Sequence, residues 1–350
     1  MRATRVALIT VGVVALGVAL SACSDVRYLA QAAGGQLDLL QRARPIADVL
    51  ADSATDAEVR RKLELVGRVR TFAINELGLP DHGSFLKYVD VGRPAVVWNV
   101  FSAPPDSIHL LTSCFPIAGC VTYRGYFHEA DARAYADTRR AAGDDVSVGG
   151  VSAYSTLGYL KDPVLSTMLN SGDANLIRTV IHELAHPALY VKDDTVFNES
   201  FATAVEEAGM RRWLKKYGTP KLADADRLAQ ERAAGFQELL LQTRGELEAL
   251  YAQKLPAADV QTRKAQVIQT LNDRYAALKV SWDGYAGYDG WFARGANNAS
   301  LGAVAAYATL VPDFLGLLER NGGDIPAFIK SAAECAKRPS AERQGCLQGR

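Results

Sequence analysis

An α+β fold, mainly helical, with a small sheet beside a histidine-bearing helix and a helical C-terminal half, is the class this sequence predicts. Three observations lead there. Apolar residues recur at helical spacing over most of the 350 residues, while strand-like patterns are confined to the stretch from Tyr88 to Tyr159. After that stretch, Leu176, Ile177, Val180, Ile181 and Leu184 mark one face of a helix that contains His182-Glu183-Leu184-Ala185-His186.

The first 22 residues stand apart from this fold. Arg2 and Arg5 precede an uncharged apolar stretch, Val6 to Leu20, which meets Ser21-Ala22-Cys23. A basic start, an apolar core too short to span a bilayer comfortably and small residues at its end mark a secretory signal. Leu-Ser-Ala-Cys resembles the processing site of bacterial lipoprotein precursors, so residues 1–22 are expected to be removed and Cys23 lipidated. The mature chain is then expected in the bacterial cell envelope, held to the membrane by its N-terminal lipid. By the same resemblance, Ser24 points to the outer membrane, facing the periplasm, in a double-membraned host.

Composition is that of an ordinary globular chain, 49% apolar and 22% charged, long enough for one large core or two smaller ones. Losing Arg2 and Arg5 takes 39 basic residues to 37, against 39 acidic ones. No concentrated basic stretch remains, so nucleic acid is not an expected partner. The sequence carries no signal of oligomeric state. In an oxidising compartment Cys114, Cys120, Cys335 and Cys346 form an even set, and the local pairs Cys114–Cys120 and Cys335–Cys346 are expected as disulfides. Without close CxxC pairs, these cysteines do not suit a metal.

Taken in order, Tyr28 to Leu40 and Asp48 to Leu77 carry helical spacing, broken by Pro45 and ended by Gly78-Leu79-Pro80. Val91, Ala95, Val96, Val97, Trp98 and Val100 then favour strand, as do Cys120 to Phe127 and Asp145 to Tyr159, with a helix near Glu129 to Ala142 between them. Gly149 to Gly158 is a candidate sheet edge for an extended peptide, since glycine permits close backbone approach; a hairpin without that role fits equally. Asp173 is the expected N-cap of the histidine helix, and Phe201, Val205 and Met210 predict the next helix. Asp224 to Gln253 and Ala257 to Lys279, separated by Lys254-Leu255-Pro256, read as a long helical hairpin. Trp282 to Gly295 reads as a loop, Asn298 through Tyr307 to Leu310 as a helix, and the tail after Asp324 as helical, closed by the second disulfide.

The histidine helix carries the chemistry. Residues four apart share a helix face, so His182 and His186 can bind one metal, with Glu183 beside it to take a proton from water. Catalytic zinc commonly has three protein ligands, and two histidines with one carboxylate is a recurring set. Glu199, in Asn198-Glu199-Ser200-Phe201-Ala202, is the expected third, with Glu206 and Glu207 in reserve. The other histidines, His82, His109 and His128, are scattered without ligand spacing. Tyr154 is the leading candidate for a further donor to the reacting carbonyl, beside Tyr123, Arg124 and Tyr307; Asp193 or Asp194 could orient a histidine.

The chain resembles a family of bacterial lipoproteins described as predicted zinc aminopeptidases, distantly similar to thermolysin-like peptidases. The resemblance spans nearly the whole mature chain. It rests on Tyr28-Leu-Ala-Gln-Ala-Ala33, Gly92-Arg-Pro, Trp98-Asn-Val, Cys114 to Cys120, Tyr123-Arg-Gly-Tyr-Phe127, Ala153 to Gly158, His182 to His186 and Asn198-Glu-Ser-Phe-Ala-Thr203. It implies a zincin-like peptidase unit over 23–350, in which the Asn-Glu pair supplies the third ligand. Within that unit we expect N-terminal helices in 23–87, sheet and metal-site helices in 88–217, the hairpin in 218–281 and C-terminal helices in 282–350. Twelve residues separate His186 from Glu199, fewer than thermolysin-like enzymes use, so the connection must be compact. Pro187 should kink or end the histidine helix. The amine-binding Gly-x-Met-Glu-Asn motif of one aminopeptidase family is missing.

The expected function is therefore zinc-dependent peptide hydrolysis through an activated water, as an aminopeptidase. An envelope endopeptidase, or a non-catalytic lipoprotein binding a partner through its hairpin, are the alternatives.

Overall fold

The computed structural model describes residues 26–115, 119–153, 160–304 and 310–350. Residues 1–25, Cys23 among them, and Tyr154 and Tyr307 lie outside the described residues. No described helix is long and apolar enough to cross a membrane.

Helix α1 (26–42) leads into strand β1 (Arg44–Pro45), then α2 (Ile46–Ala51) and α3 (Ala57–Asn75). The sequence reads as helical from Asp48 to Leu77, but the chain turns between Ala51 and Ala57. Asp52 Oδ1 accepts from Ala54 N at 3.0 Å, and Asp56 caps α3 through Glu58 N and Val59 N, so two aspartates compete with the helix for its own donors.

The strand-rich region divides into three small sheets. Strand β2 (Lys87–Val89) lies between β1 and β8 (Val164–Leu165), antiparallel to the first and parallel to the second. Strand β3 (Val97–Ala103) is the middle of a second sheet, flanked by β6 (Arg124–Tyr126) and β7 (Asp145–Val151), both antiparallel. A ribbon of β4 (Ser113–Phe115) and β5 (Gly119–Val121) is stapled by the Cys114–Cys120 disulfide. Helix α4 (Glu129–Ala141) covers one face of the second sheet, burying Ala132 and Ala136 against Trp98, Val100 and Val146.

After α5 (Ser166–Leu169) comes α6 (Asp173–Ala185), the histidine helix. Its N-cap is Gly172 and not Asp173, whose carboxylate is engaged by Arg61 at 2.7 Å on both oxygens. Leu176, Ile177, Val180 and Ile181 are fully buried, each contributing about 1.5–3 kcal/mol of apolar burial, so α6 is fixed as the centre of the main core. Its packing partners are α3, α7 (Thr195–Tyr217) and α8 (Pro220–Ala252). The β3 sheet packs on α4 and α11 (Asn298–Val304).

The hairpin forms as expected from α8 and α9 (Ala257–Ser281). The predicted loop after Trp282 contains one short helix, α10 (Asp289–Ala293), because its aromatic residues pack: Phe292 stacks on Tyr275 at 3.8 Å and Phe236 on Tyr288 at 4.0 Å. Helix α12 (Val311–Arg320), with Pro312 in its first turn, precedes α13 (Ile325–Ala336) and α14 (Ser340–Leu347), which are joined by Cys335–Cys346. Both disulfides pair as the sequence predicts.

Candidate metal centre

Helix α6 ends at Ala185, and residues His186–Ala188 form a 3-10 turn with Pro187 at its start. Proline cannot donate to the helix, which accounts for the change in geometry. His186 nonetheless keeps helical dihedrals, φ −53° and ψ −43°, so it stays on the face of His182. The two imidazole centroids lie 4.9 Å apart with their planes at 82°.

Three features bring Glu199 to this face. Asn198, 4% exposed, clasps the connector by donating from Nδ2 to Val191 O at 2.7 Å and accepting Val191 N at 2.8 Å. That pair of bonds makes the 12-residue connection compact. Phe197 and Phe201, on either side of Glu199, are fully buried and meet Phe314 and Phe328 at centroid distances of 4.9 and 5.6 Å, which directs the opposite face of α7 toward α6. Finally, a Cβ at Gly209 would lie 2.9 Å from both Ile181 Cγ2 and Leu77 Cδ1, so glycine lets the two helices approach.

The result is a convergent donor set. Glu199 Oε2 stands 3.3 Å from His182 Nε2 and 3.9 Å from His186 Nε2, and one ligand atom from each of His182, His186 and Glu199 lies within 4.8 Å of the others. Tetrahedral bonds of about 2.0–2.1 Å place neighbouring ligands about 3.3 Å apart, so the spacing suits a small divalent ion. Two buried polar atoms here, Glu183 Oε2 and His186 Nδ1, have no partner among the described residues. Both residues fit a site completed by a further group.

Electrostatics divide three of these side chains. Burial drives His186 down to about 4, helped by the charge of His182, so it is the neutral imidazole a metal requires. Burial also opposes charge on His182, but hydrogen bonds to Glu199 and Glu206 outweigh it and carry the group up to about 10. Burial lifts Glu183 to about 7, near the pH at which a proton-transfer group works best.

Glu206, held in reserve as a ligand from sequence, has another place. Its Oε2 accepts from His182 Nδ1 at 3.1 Å, which assigns the Nδ1 proton and leaves Nε2 to face Glu199. Its Oε1 accepts from Arg178 Nη1 at 3.1 Å, and Arg178 forks onto Asp226 of α8 through Nε at 2.5 Å and Nη2 at 3.0 Å. Sequence reasoning missed Arg178 and Asp226. The signal for Glu206 was present: it lies seven residues, two helical turns, after Glu199 on the same face.

Other candidates fall elsewhere. Asp194 caps α7 at Phe197 N and pairs with Arg343, and Asp193 accepts from Cys120 N at 3.1 Å, so the carboxylate that orients a histidine is Glu206. Tyr123 rests against Phe101, while Arg124 donates to Ser113 Oγ and lies over Tyr28 and Tyr135. Glu207 is raised by burial.

Two outcomes follow at this site. Glu206→Gln should lower metal affinity by about 10–100-fold, measured by competition with a chelator. In the metal-free protein His182 keeps its second proton up to about pH 10, so a metal must displace it. Affinity should therefore fall about tenfold for each pH unit of acidification across the neutral range, with about one proton released on binding; calorimetry in buffers of different ionisation heat measures that proton.

A mainly helical α+β protein, with a histidine in the last turn of one helix, a second just after it and a glutamate on the next helix converging in a set able to hold a metal, is thus the class that fold and site define. The chain belongs to the family described as "Putative aminopeptidase", whose sequence model matches residues 27–347. At that coarse level it is a peptidase and its substrate is peptide. Neither curated proteins nor solved structures gave a match.

Proposed function

We propose that the protein is a zinc-dependent aminopeptidase of the bacterial cell envelope, tethered by a lipid on Cys23. The convergence of His182, His186 and Glu199 with Glu183 alongside carries the metal-dependent part of this reading. Two imidazoles and one carboxylate are a donor set suited to zinc.

His182, His186 and Glu199 hold the ion, which when bound supplies Lewis-acid activation of water and of the scissile carbonyl. Glu183 takes the proton of the attacking water and delivers it to the leaving amine. Burial raises the proton affinity of Glu183, which suits a group that takes up a proton and gives it back. Glu206, held by Arg178, keeps His182 in the tautomer that presents Nε2. Asn198 keeps Glu199 in place without touching the reacting atoms.

Zinc analysis of the purified protein, with cleavage of matched peptides bearing free or acetylated N-termini, tests the proposal. Stoichiometric zinc and cleavage restricted to the free amine are expected. Equal cleavage of both peptides makes the protein an endopeptidase, and a well-folded chain that takes up no zinc refutes the metal-dependent reading.

A further inference from the structure

Away from the three ligands, a cavity of about 360 Å³ opens over one face of the β6–β3–β7 sheet. Side chains alternate along a strand, so Asn99 and Phe101 share that face with their cross-strand partners Gly149 and Ser147. Phe101, Phe236 of α8 and Trp291 of α10 form apolar walls, and Arg294 stands at the C-terminal end of α10. A Cβ at Gly149 meets nothing within 4 Å, so the floor there is open.

One polar side chain of this cavity, Arg294, has no use within the described residues. Arg294 is exposed, with neither an ion pair nor a hydrogen bond. A free guanidinium suits a carboxylate, which it binds through two parallel hydrogen bonds. Aromatic walls suit an apolar side chain. Carboxylate and apolar side chain occur together at the C-terminal end of a peptide.

The surroundings admit such a chain. Strand β7 is an edge among the described strands; its Val146 carbonyl is taken by Asn297 Nδ2 at 3.0 Å, and four residues on, Gly150 is exposed. Helix α8 links the cavity to the metal centre: Asp226 braces Arg178 there, and Phe236 lines the cavity.

We propose that this cavity binds the C-terminal residue of the peptide substrate, with Arg294 holding the carboxylate and the aromatic walls holding an apolar side chain. The proposal rests on the peptidase reading. Its test compares three pentapeptides on the zinc-loaded protein: one ending in Phe as the free acid, one ending in Phe-amide and one ending in Glu-amide.

The free acid should have a KM about tenfold below that of the Phe-amide. Arg294→Ala should raise the free-acid KM to that of the amide, and Arg294→Lys should recover part of the difference. Equal KM for acid and amide in the wild type, or discrimination unchanged in Arg294→Ala, overturns the proposal. Glu-amide matching the free acid overturns the assignment to a C-terminal carboxylate. Calorimetric binding of the same peptides to Glu183→Gln separates the two readings. Binding that favours the acid without any wild-type cleavage keeps the subsite and removes the peptidase. Cleavage without discrimination does the reverse.

Discussion

Glu183→Gln is expected to lower peptide hydrolysis by about 10²–10⁴-fold, the range a positioned general base contributes, while zinc remains bound. The amide matches the carboxylate in shape but cannot accept a proton from water. Its own contacts offer nothing else to lose, since Glu183 Oε2 has no hydrogen-bond partner among the described residues. His182, His186 and Glu199 are untouched, so zinc content should stay at the wild-type value. Steady-state kinetics beside metal analysis of the same preparation measures both. Undiminished cleavage would remove Glu183 from the mechanism, whereas loss of zinc together with activity would move it to a role in holding the site.

Arg178→Ala is expected to cost about 3–5 kcal/mol of stability, the range for breaking one partner out of a buried ionic network. Arg178 is 8% exposed and Asp226 is 7% exposed. Removing the guanidinium leaves Asp226 without its forked partner and Glu206 without the cation that fixes it. Glu206 then has less hold on His182 Nδ1, so weaker metal binding should accompany the loss of stability. Denaturant titration gives the first quantity and chelator competition the second. A double substitution, Arg178→Met with Asp226→Leu, should recover much of the stability, because two apolar residues leave no buried charge unpaired between α6 and α8; Glu206 would remain loosened and the metal defect should persist. Recovery of both together would mean that the network does not position His182.

Much of the fold was legible because local patterns and tertiary packing agree. The spacing of Leu176, Ile177, Val180, Ile181 and Leu184 predicts the histidine helix, and all five are buried. Pro187 predicts its end, and the helix stops at Ala185. Where local hydrogen bonds compete with periodicity, the pattern misleads: the aspartates at 52 and 56 split one expected helix into two. The aromatic run after Trp282 has the composition of a loop, but stacking against α8 and α9 orders a helical turn within it.

By itself the sequence singled out His182, His186 and Glu199 as residues able to hold a metal, with Glu183 beside them, and both disulfide pairings. These depend on residue type and on spacings fixed by one helix or one short loop. Only the tertiary structure decided that Glu206 braces His182, that Arg178 and Asp226 support it, and that Arg294 faces an aromatic cavity. Each of those relations joins residues from different elements, and the distance between two helices depends on the packing of their buried faces. Periodicity along one chain segment holds no information about that distance.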